Sequence, residues 1–247
     1  VVLYRDLKRI DFVLDMVKAP SGRTDSMRNS NPRFKESVYV ALPFAVPDFN
    51  VRHELPGGVS EPVKDLFDGA CTAYYAVRHF SDMSNRRFGV TVSAPESALF
   101  EYGYPRSCPL GGPHGESDFE KKKSPILNSR MYLYLMNNMF DTNVRWDQPG
   151  PVRFTYSLRS HAGDWRAGRA DEFGWDVQNP LIGKAAVGTS KTGLPAGRHS
   201  FISLDQPNVA CTTLKPAEAN GAGFILRFVE TQDRKSTRLN SSHGYIS

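Results

Sequence analysis

The segment 136–143 concentrates short amide and carboxylate side chains directly after an apolar stretch. Its polar residues are Asn137, Asn138, Asp141, Thr142 and Asn143, and the aromatic Phe140 lies among them. Amide and carboxylate groups of this kind bind polyhydroxyl ligands when they lie beside an apolar surface. The same residue types also form turns, because Asn and Asp side chains hydrogen-bond their own backbone. The segment therefore predicts either a sugar-binding loop or a turn.

A carboxylate at a tight turn is a second candidate for sugar binding. Glu54 precedes Pro56-Gly57-Gly58, and a Pro-Gly-Gly sequence favours a tight turn. A carboxylate at the entrance of such a turn can accept hydrogen bonds from sugar hydroxyls. Glu54 and the adjacent His53 cannot chelate one ion together, because neighbouring side chains on a strand point to opposite faces.

Motifs for other kinds of chemistry are absent from the sequence. It contains no G-x-S-x-G nucleophile motif, no H-x-x-x-H or H-E-x-x-H metal motif and no phosphate-binding loop. The three cysteines have long spacings and no C-x-x-C pair, which predicts free thiols instead of a disulfide framework or a zinc site. We expect the histidines to be hydrogen-bonded or surface residues, and the chain to hold no metal.

The charge pattern argues against nucleic-acid and membrane partners. The formal net charge is +5, and the basic residues are spread along the chain. The basic triplet 121–123 follows three acidic residues within 116–120, which cancel much of its field. No apolar run approaches the roughly 18 residues that span a bilayer. No leader sequence is visible at the first residues, but the chain starts at Val1 without Met, so we expect the true N-terminus to be missing. The compartment therefore stays open, with a cytoplasmic location as the expectation from the visible residues.

Strand patterns dominate the chain, whereas helix patterns are poor. Short runs rich in β-branched and aromatic residues alternate between apolar and polar side chains, and prolines and glycines separate them. The predicted strands are 7–17, 37–46, 88–93, 130–136, 152–158, 201–204, 208–214 and 224–229. Short strands at fairly regular spacing predict an all-β sandwich.

The pattern of long strands ends near residues 160–180, where we predict a linker and a domain boundary. This places a first β-sandwich domain over 1–165 and a small β module over 166–232. Residues 233–243 resemble the translation of a common sequencing adapter, and residues 244–247 are compatible with the bases that follow it. We therefore expect 233–247 to be a disordered artefact tail.

Several motifs in a fixed order resemble one enzyme family. Along the chain they read ESVYVALPFAVPDFNVRHELPGGVSEP, AVRHFSDMSN, FGVTVSAPESALFEYG, MNNMFDTNVRWDQPGPVRFTYSLRSHAG and FGWDVQNPLI. This order is similar to that of the C-terminal region of glycoside hydrolase family 38, the zinc-dependent α-mannosidases. The segments SFISLDQPNVACTTLKPAE and GFILRFVET resemble the terminal β module of that family. Phe80 and Phe140 stand where the family usually has Trp.

The resemblance implies part of a mutarotase-like β-supersandwich, followed by a small β-sandwich. It implies a retaining mechanism, in which one carboxylate attacks the anomeric carbon, a second carboxyl protonates the leaving oxygen, and zinc orients sugar hydroxyls. The family's zinc ligands and catalytic aspartates lie in an upstream domain. We therefore expect this chain alone to be inactive, to hold no cofactor, and to act on mannose-containing glycans only with its own upstream catalytic domain.

The same resemblance places the loop after residue 136 at one wall of the mannose site. The expected substrate-binding residues are Asn137, Asn138, Phe140, Asp141, Asn143 and Arg145. Phe140 would give apolar backing, and Arg145 would steady a carboxylate. A stand-alone carbohydrate-binding module and a purely structural β module are the alternatives. A piece cut from a longer sandwich would expose apolar faces, which predicts self-association into homo-oligomers.

Overall fold

A computed structural model describes residues 1–21, 36–67, 70, 72–105, 125–138, 147–185, 199–218 and 223–231. The strands of these residues are β1 (Val2–Leu3), β2 (Ile10–Lys18), β3 (Ser37–Pro43), β4 (Asn50–Leu55), β5 (Gly58–Ser60), β6 (Tyr75–Ala76), β7 (Ser81–Ser84), β8 (Phe88–Ser93), β9 (Leu99–Tyr102), β10 (Arg130–Asn137), β11 (Gly150–Ala162), β12 (Val209–Pro216) and β13 (Phe224–Glu230). The helix among them is α1 (Ala170–Gln178). The chain divides into two compact units, Val1–Asn179 and Pro180–Ser247.

Two antiparallel sheets form the first unit. The larger sheet has the strand order β1-β2-β11-β8-β7-β4-β5, and the smaller sheet has the order β3-β10-β9-β6. Apolar side chains of both sheets meet in one core, where Met83 and Val92 of the larger sheet join Phe100, Met131 and Leu133 of the smaller sheet. All five side chains are buried. This arrangement confirms the predicted all-β sandwich.

Alternation of apolar and polar residues locates the longer strands. The predicted strand 88–93 is β8, and the predicted strands 7–17, 130–136 and 152–158 overlap β2, β10 and β11. Tyr156 of β11 packs on the core and stacks on Phe12 of β2, with 4.7 Å between the ring centroids. Residues 201–204 lie in no strand, so that prediction is wrong. Strands such as β1 and β6 escape prediction because two residues carry no periodicity.

The predicted linker over 160–180 is wrong, because β11 continues to Ala162 and α1 follows it. The helix packs on β7 and β8 of the larger sheet through its buried residues Ala170, Phe173 and Gly174. Gly174 lowers the helix propensity of this segment. It is needed where α1 approaches the sheet, since an added Cβ would lie 2.7 Å from the carbonyl oxygen of His79.

This packing explains where the compact units divide. Sequence analysis places the domain boundary between 165 and 166, whereas the first unit continues to Asn179 because α1 is docked on its sheet. Arg159 of β11 also ties the two elements together, since its Nη2 donates hydrogen bonds to the carbonyl oxygens of Gly168 and Arg169. Within the described residues, no helix is both long enough and apolar enough to span a bilayer.

The second unit contains one antiparallel hairpin in its described residues. β12 pairs with β13, with Val209 opposite Glu230 at one end and Pro216 opposite Phe224 at the other. Asn208 Nδ2 donates a hydrogen bond to Glu230 Oε1 at 2.7 Å, which fixes the start of β12 beside the end of β13. The strands predicted over 208–214 and 224–229 are confirmed. The expected tail, 233–247, lies outside the described residues.

Gly89, in the middle of the larger sheet, has no room for a side chain. It pairs with Ser84 of β7 and with His161 of β11. An added Cβ would lie 2.2 Å from Ser84 Cβ and 2.7 Å from His161 Cε1. We expect Gly89→Ala to lower the free energy of unfolding by about 2 kcal/mol in urea denaturation, because paired strands must move apart.

Gly58→Ala is the matched control for this prediction. Gly58 also lies in a strand of the larger sheet, but an added Cβ would meet nothing within 4 Å. Its free energy of unfolding should change by less than about 0.5 kcal/mol. Equal losses in the two variants would contradict the steric explanation.

Candidate functional site

The structure describes only the beginning of the predicted sugar-binding segment. Asn137 is the last residue of β10, and Asn138 follows it as a buried residue. Both lie at the end of the strand, as the sequence analysis expects of the segment. The remaining predicted site residues lie outside the described part of the chain and are Phe140, Asp141, Asn143 and Arg145.

An open cleft of about 210 Å³ lies at the end of β10. Its lining residues are Lys18, Glu36, Val38, Leu135, Met136, Asn137, Asn138, Asp147 and Gln148. Amide, carboxylate and ammonium groups here adjoin an apolar patch of Val38, Leu135 and Met136. Such a combination of convergent polar groups and apolar surface is suited to a polyhydroxyl ligand. Thus Asn137 and Asn138, two of the predicted residues, share one cleft.

An irregularity in β10 explains why consecutive residues line this cleft. In a regular strand, alternate side chains point to opposite faces of the sheet. The pairing of β10 with β3 shifts register between Tyr134 and Met136, as at a β-bulge. A bulge changes the phase of alternation and re-aims side chains at the end of a strand. As a result, the consecutive residues 135–138, at the end of β10 and directly after it, line one cleft.

Two elements far apart in sequence bring charged groups into the cleft. Lys18 ends β2 of the larger sheet, and Glu36 precedes β3 of the smaller sheet. Lys18 Nζ lies 2.6 Å from Glu36 Oε2. The backbone N–H of Glu36 donates to Asn138 Oδ1 at 2.5 Å. The ion pair and the amide therefore form one connected polar group at the ends of three strands.

Asp147 adds a second carboxylate to the cleft. Its Oδ2 accepts a hydrogen bond from the backbone N–H of Ser21 at 3.0 Å, which connects the segment before β11 to the segment after β2. Lys18, Glu36, Asp147 and Gln148 were not predicted as site residues. Glu36 begins the first quoted motif, and Asp147 and Gln148 belong to the fourth, so motif membership was the available signal.

The Glu54 carboxylate has a partner within the protein, and the expected sugar contact there stays a prediction. The tight turn itself is confirmed, because Leu55 pairs with Gly58 and Gly57 adopts a φ of 95°. Glu54 Oε2 lies 2.9 Å from His79 Nδ1, and both side chains are largely buried. The carboxylate is satisfied within the protein because His79 approaches it from the segment before β7.

The buried histidines have structural partners. His161 Nε2 lies 2.7 Å from Asp82 Oδ2, and Ser84 Oγ donates to the other oxygen of the same carboxylate. A serine that bonds the carboxylate instead of the imidazole is not activated as a nucleophile, so this group is not a hydrolase triad. The expectation that the histidines are hydrogen-bonded is confirmed for His79 and His161. No group of three His, Cys, Asp or Glu side chains able to hold a metal ion occurs in the described residues.

Comparison with known proteins shows that the fold of this chain is similar to part of one solved structure. No protein-family model matches the chain, and no curated protein matches it. Among solved structures, the chain is similar to an alpha-mannosidase from Enterococcus faecalis V583, with a TM-score of 0.59. The match covers 93% of this chain and 22% of that chain, at 13% sequence identity. The chain therefore has a mannosidase-related β fold and spans less than a quarter of the length of that protein.

Proposed function

We propose that this chain is the C-terminal β region of a zinc-dependent, retaining α-mannosidase and that its cleft forms one wall of a mannose site. The polar lining of the cleft at the end of β10 carries this proposal. The fold likeness to an alpha-mannosidase supports it, as does the order of the family motifs along the sequence.

In this proposal, catalysis and sugar positioning belong to different parts of one protein. The zinc ligands, the nucleophile and the acid/base belong to the upstream catalytic domain, where zinc helps to orient sugar hydroxyls. The described residues contribute hydrogen-bonding groups and an apolar patch. Val38 and Met136 would contact the C–H face of the sugar ring, while Asn137 and Gln148 would bond its hydroxyls.

Substitution of Gln148 tests the cleft directly. We expect Gln148→Ala to weaken binding of methyl α-mannoside about fivefold, because one neutral hydrogen bond is lost. Titration followed by NMR chemical shifts measures the affinity. Gln206→Ala is the matched control, since Gln206 is an exposed amide in the second unit and should leave the affinity unchanged. Equal affinity of Gln148→Ala and the unaltered chain would contradict the assignment.

The proposal that this chain binds sugar while an upstream domain catalyses hydrolysis can be tested separately. The purified chain should bind methyl α-mannoside yet release no product from an aryl α-mannoside when zinc is supplied. Turnover above buffer would show that the catalytic groups lie within this chain. Absence of both binding and a shift in melting temperature would leave the purely structural role. A reading frame that extends several hundred residues before Val1 would favour the enzyme, whereas a signal peptide just before Val1 would favour the stand-alone binding module.

A further inference from the structure

Lys18 and Glu36 form an ion pair that the cleft leaves accessible. The exposed fractions of their side chains are 13% and 41%, and 2.6 Å separates Lys18 Nζ from Glu36 Oε2. The two residues come from different sheets, since Lys18 ends β2 and Glu36 precedes β3. The pair thus places a positive and a negative group side by side on the cleft surface.

Both partners keep hydrogen-bonding capacity for a ligand. The Lys18 ammonium has three N–H donors. Within the described residues, one donates to the carbonyl oxygen of Ala19 at 2.7 Å and another serves Glu36. A carboxylate has about four lone-pair sites on its two oxygens, and the ion pair uses one of them. The pair can therefore offer a donor and an acceptor to adjacent groups of one ligand.

Asn138 holds Glu36 in position. The backbone N–H of Glu36 donates to Asn138 Oδ1 at 2.5 Å, and the backbone N–H of Asn138 donates to the carbonyl oxygen of Glu36 at 3.1 Å. Asn138 is 7% exposed. Its side-chain oxygen serves the protein backbone, so Asn138 is a positioning residue for Glu36.

The charges of the cleft favour a neutral ligand. Among the described residues of the lining, Lys18 is the cation and Glu36 and Asp147 are the carboxylates, so these residues together carry a net negative charge. A negative lining repels an acidic sugar. The ammonium beside Glu36 also opposes a metal cation at that carboxylate. A neutral polyhydroxyl molecule is repelled neither by the carboxylates nor by the ammonium group.

We propose that Lys18 and Glu36 bind two neighbouring hydroxyl groups of one neutral hexose, with Lys18 donating to one and Glu36 accepting from the other. The inference rests on the proposed function, because it names the residues that select the sugar in the same cleft. A hydroxyl both donates and accepts, so a vicinal diol matches the pair. An analogue that lacks one of these hydroxyls leaves a charged group without its partner and is rejected.

The test combines protein variants with ligand analogues. Methyl α-mannoside and its monodeoxy analogues are titrated into the unaltered chain, Lys18→Met and Glu36→Gln. We expect each variant to bind the parent sugar about tenfold more weakly. The analogue that binds the unaltered chain about tenfold more weakly than the parent sugar lacks a hydroxyl that Lys18 or Glu36 bonds. The variant of that residue should bind this analogue and the parent sugar with equal affinity. Lys18→Arg, which keeps the ion pair, should stay within about threefold of the unaltered chain.

If the affinity losses from the substitution and from the missing hydroxyl do not add, the residue contacts the sugar and does not act only on the structure. An ion pair that only joined the two sheets would change stability without removing the penalty for a missing hydroxyl. If Lys18→Met does not fold, Glu36→Gln carries the test because it preserves the shape of the side chain. Weaker binding by Gln148→Ala with additive effects at Lys18 and Glu36 would overturn this inference and leave the proposed function standing. No binding by the unaltered chain would overturn both.

Discussion

Replacing Asp82 with alanine should lower the free energy of unfolding by about 4 kcal/mol. Asp82 is in β7, with 0% of its surface exposed. Its Oδ2 accepts hydrogen bonds from His161 Nε2 at 2.7 Å and from Thr91 Oγ1 at 2.8 Å, and its Oδ1 accepts one from Ser84. Alanine would leave these donors of three neighbouring strands buried and unpaired, and each such group carries a desolvation cost.

Urea unfolding of matched variants measures this loss. Asp82→Asn keeps the shape of the side chain but removes its charge. The decrease in its free energy of unfolding should therefore lie between zero and the decrease in the alanine variant. Asp6→Ala is the control, because Asp6 is exposed and pairs with Arg5 on the surface, and it should change the free energy by less than about 0.5 kcal/mol. A loss below about 1 kcal/mol in Asp82→Ala would contradict the role given to the carboxylate.

The free energy of unfolding should fall on the order of 3 kcal/mol through His53 alone as the pH drops from 6.5 to 4. His53 is buried in β4 beside the rings of Tyr75 and Tyr102, whose centroids lie 5.5 Å and 6.1 Å from its own. Burial lowers the pKa of His53 from 6.5 to about 4, and the Asp65 carboxylate partly opposes this shift. The unfolded chain therefore takes up the proton first, so the stabilisation is complete above pH 6.5 and is lost as the pH falls.

The contribution of His53 can be separated from that of other groups. Urea unfolding at a series of pH values is compared for the unaltered chain and His53→Phe, whose ring does not titrate. The variant should lose much of the pH dependence between pH 6.5 and 4. His199→Phe is the control, since His199 is exposed in the second unit and should keep the slope of the unaltered chain. Parallel slopes for all three proteins would show that His53 is not the group that titrates.

Local sequence patterns predict the longer strands but not the helix. Side chains in a strand alternate between faces with a period of two, so a run such as β8 is recognised without knowledge of its partners. α1 is not recognised because Gly174 weakens its propensity, and its stability comes from packing on β7 and β8. Gly174 is required because of its close approach to the backbone of His79, almost a hundred residues earlier in the sequence.

The sequence by itself determined the all-β class, the main strands and the polar character of the end of β10. Those properties depend on composition and on side-chain periodicity, which are local. The tertiary structure decided which polar residues share a cleft with Asn137. Lys18, Glu36 and Asp147 reach it because β2, β3 and β11 bring their ends close to the end of β10. It likewise decided that Glu54 is bound to His79, because a hydrogen bond between distant segments depends on how sheets pair and pack, and no local pattern contains that information.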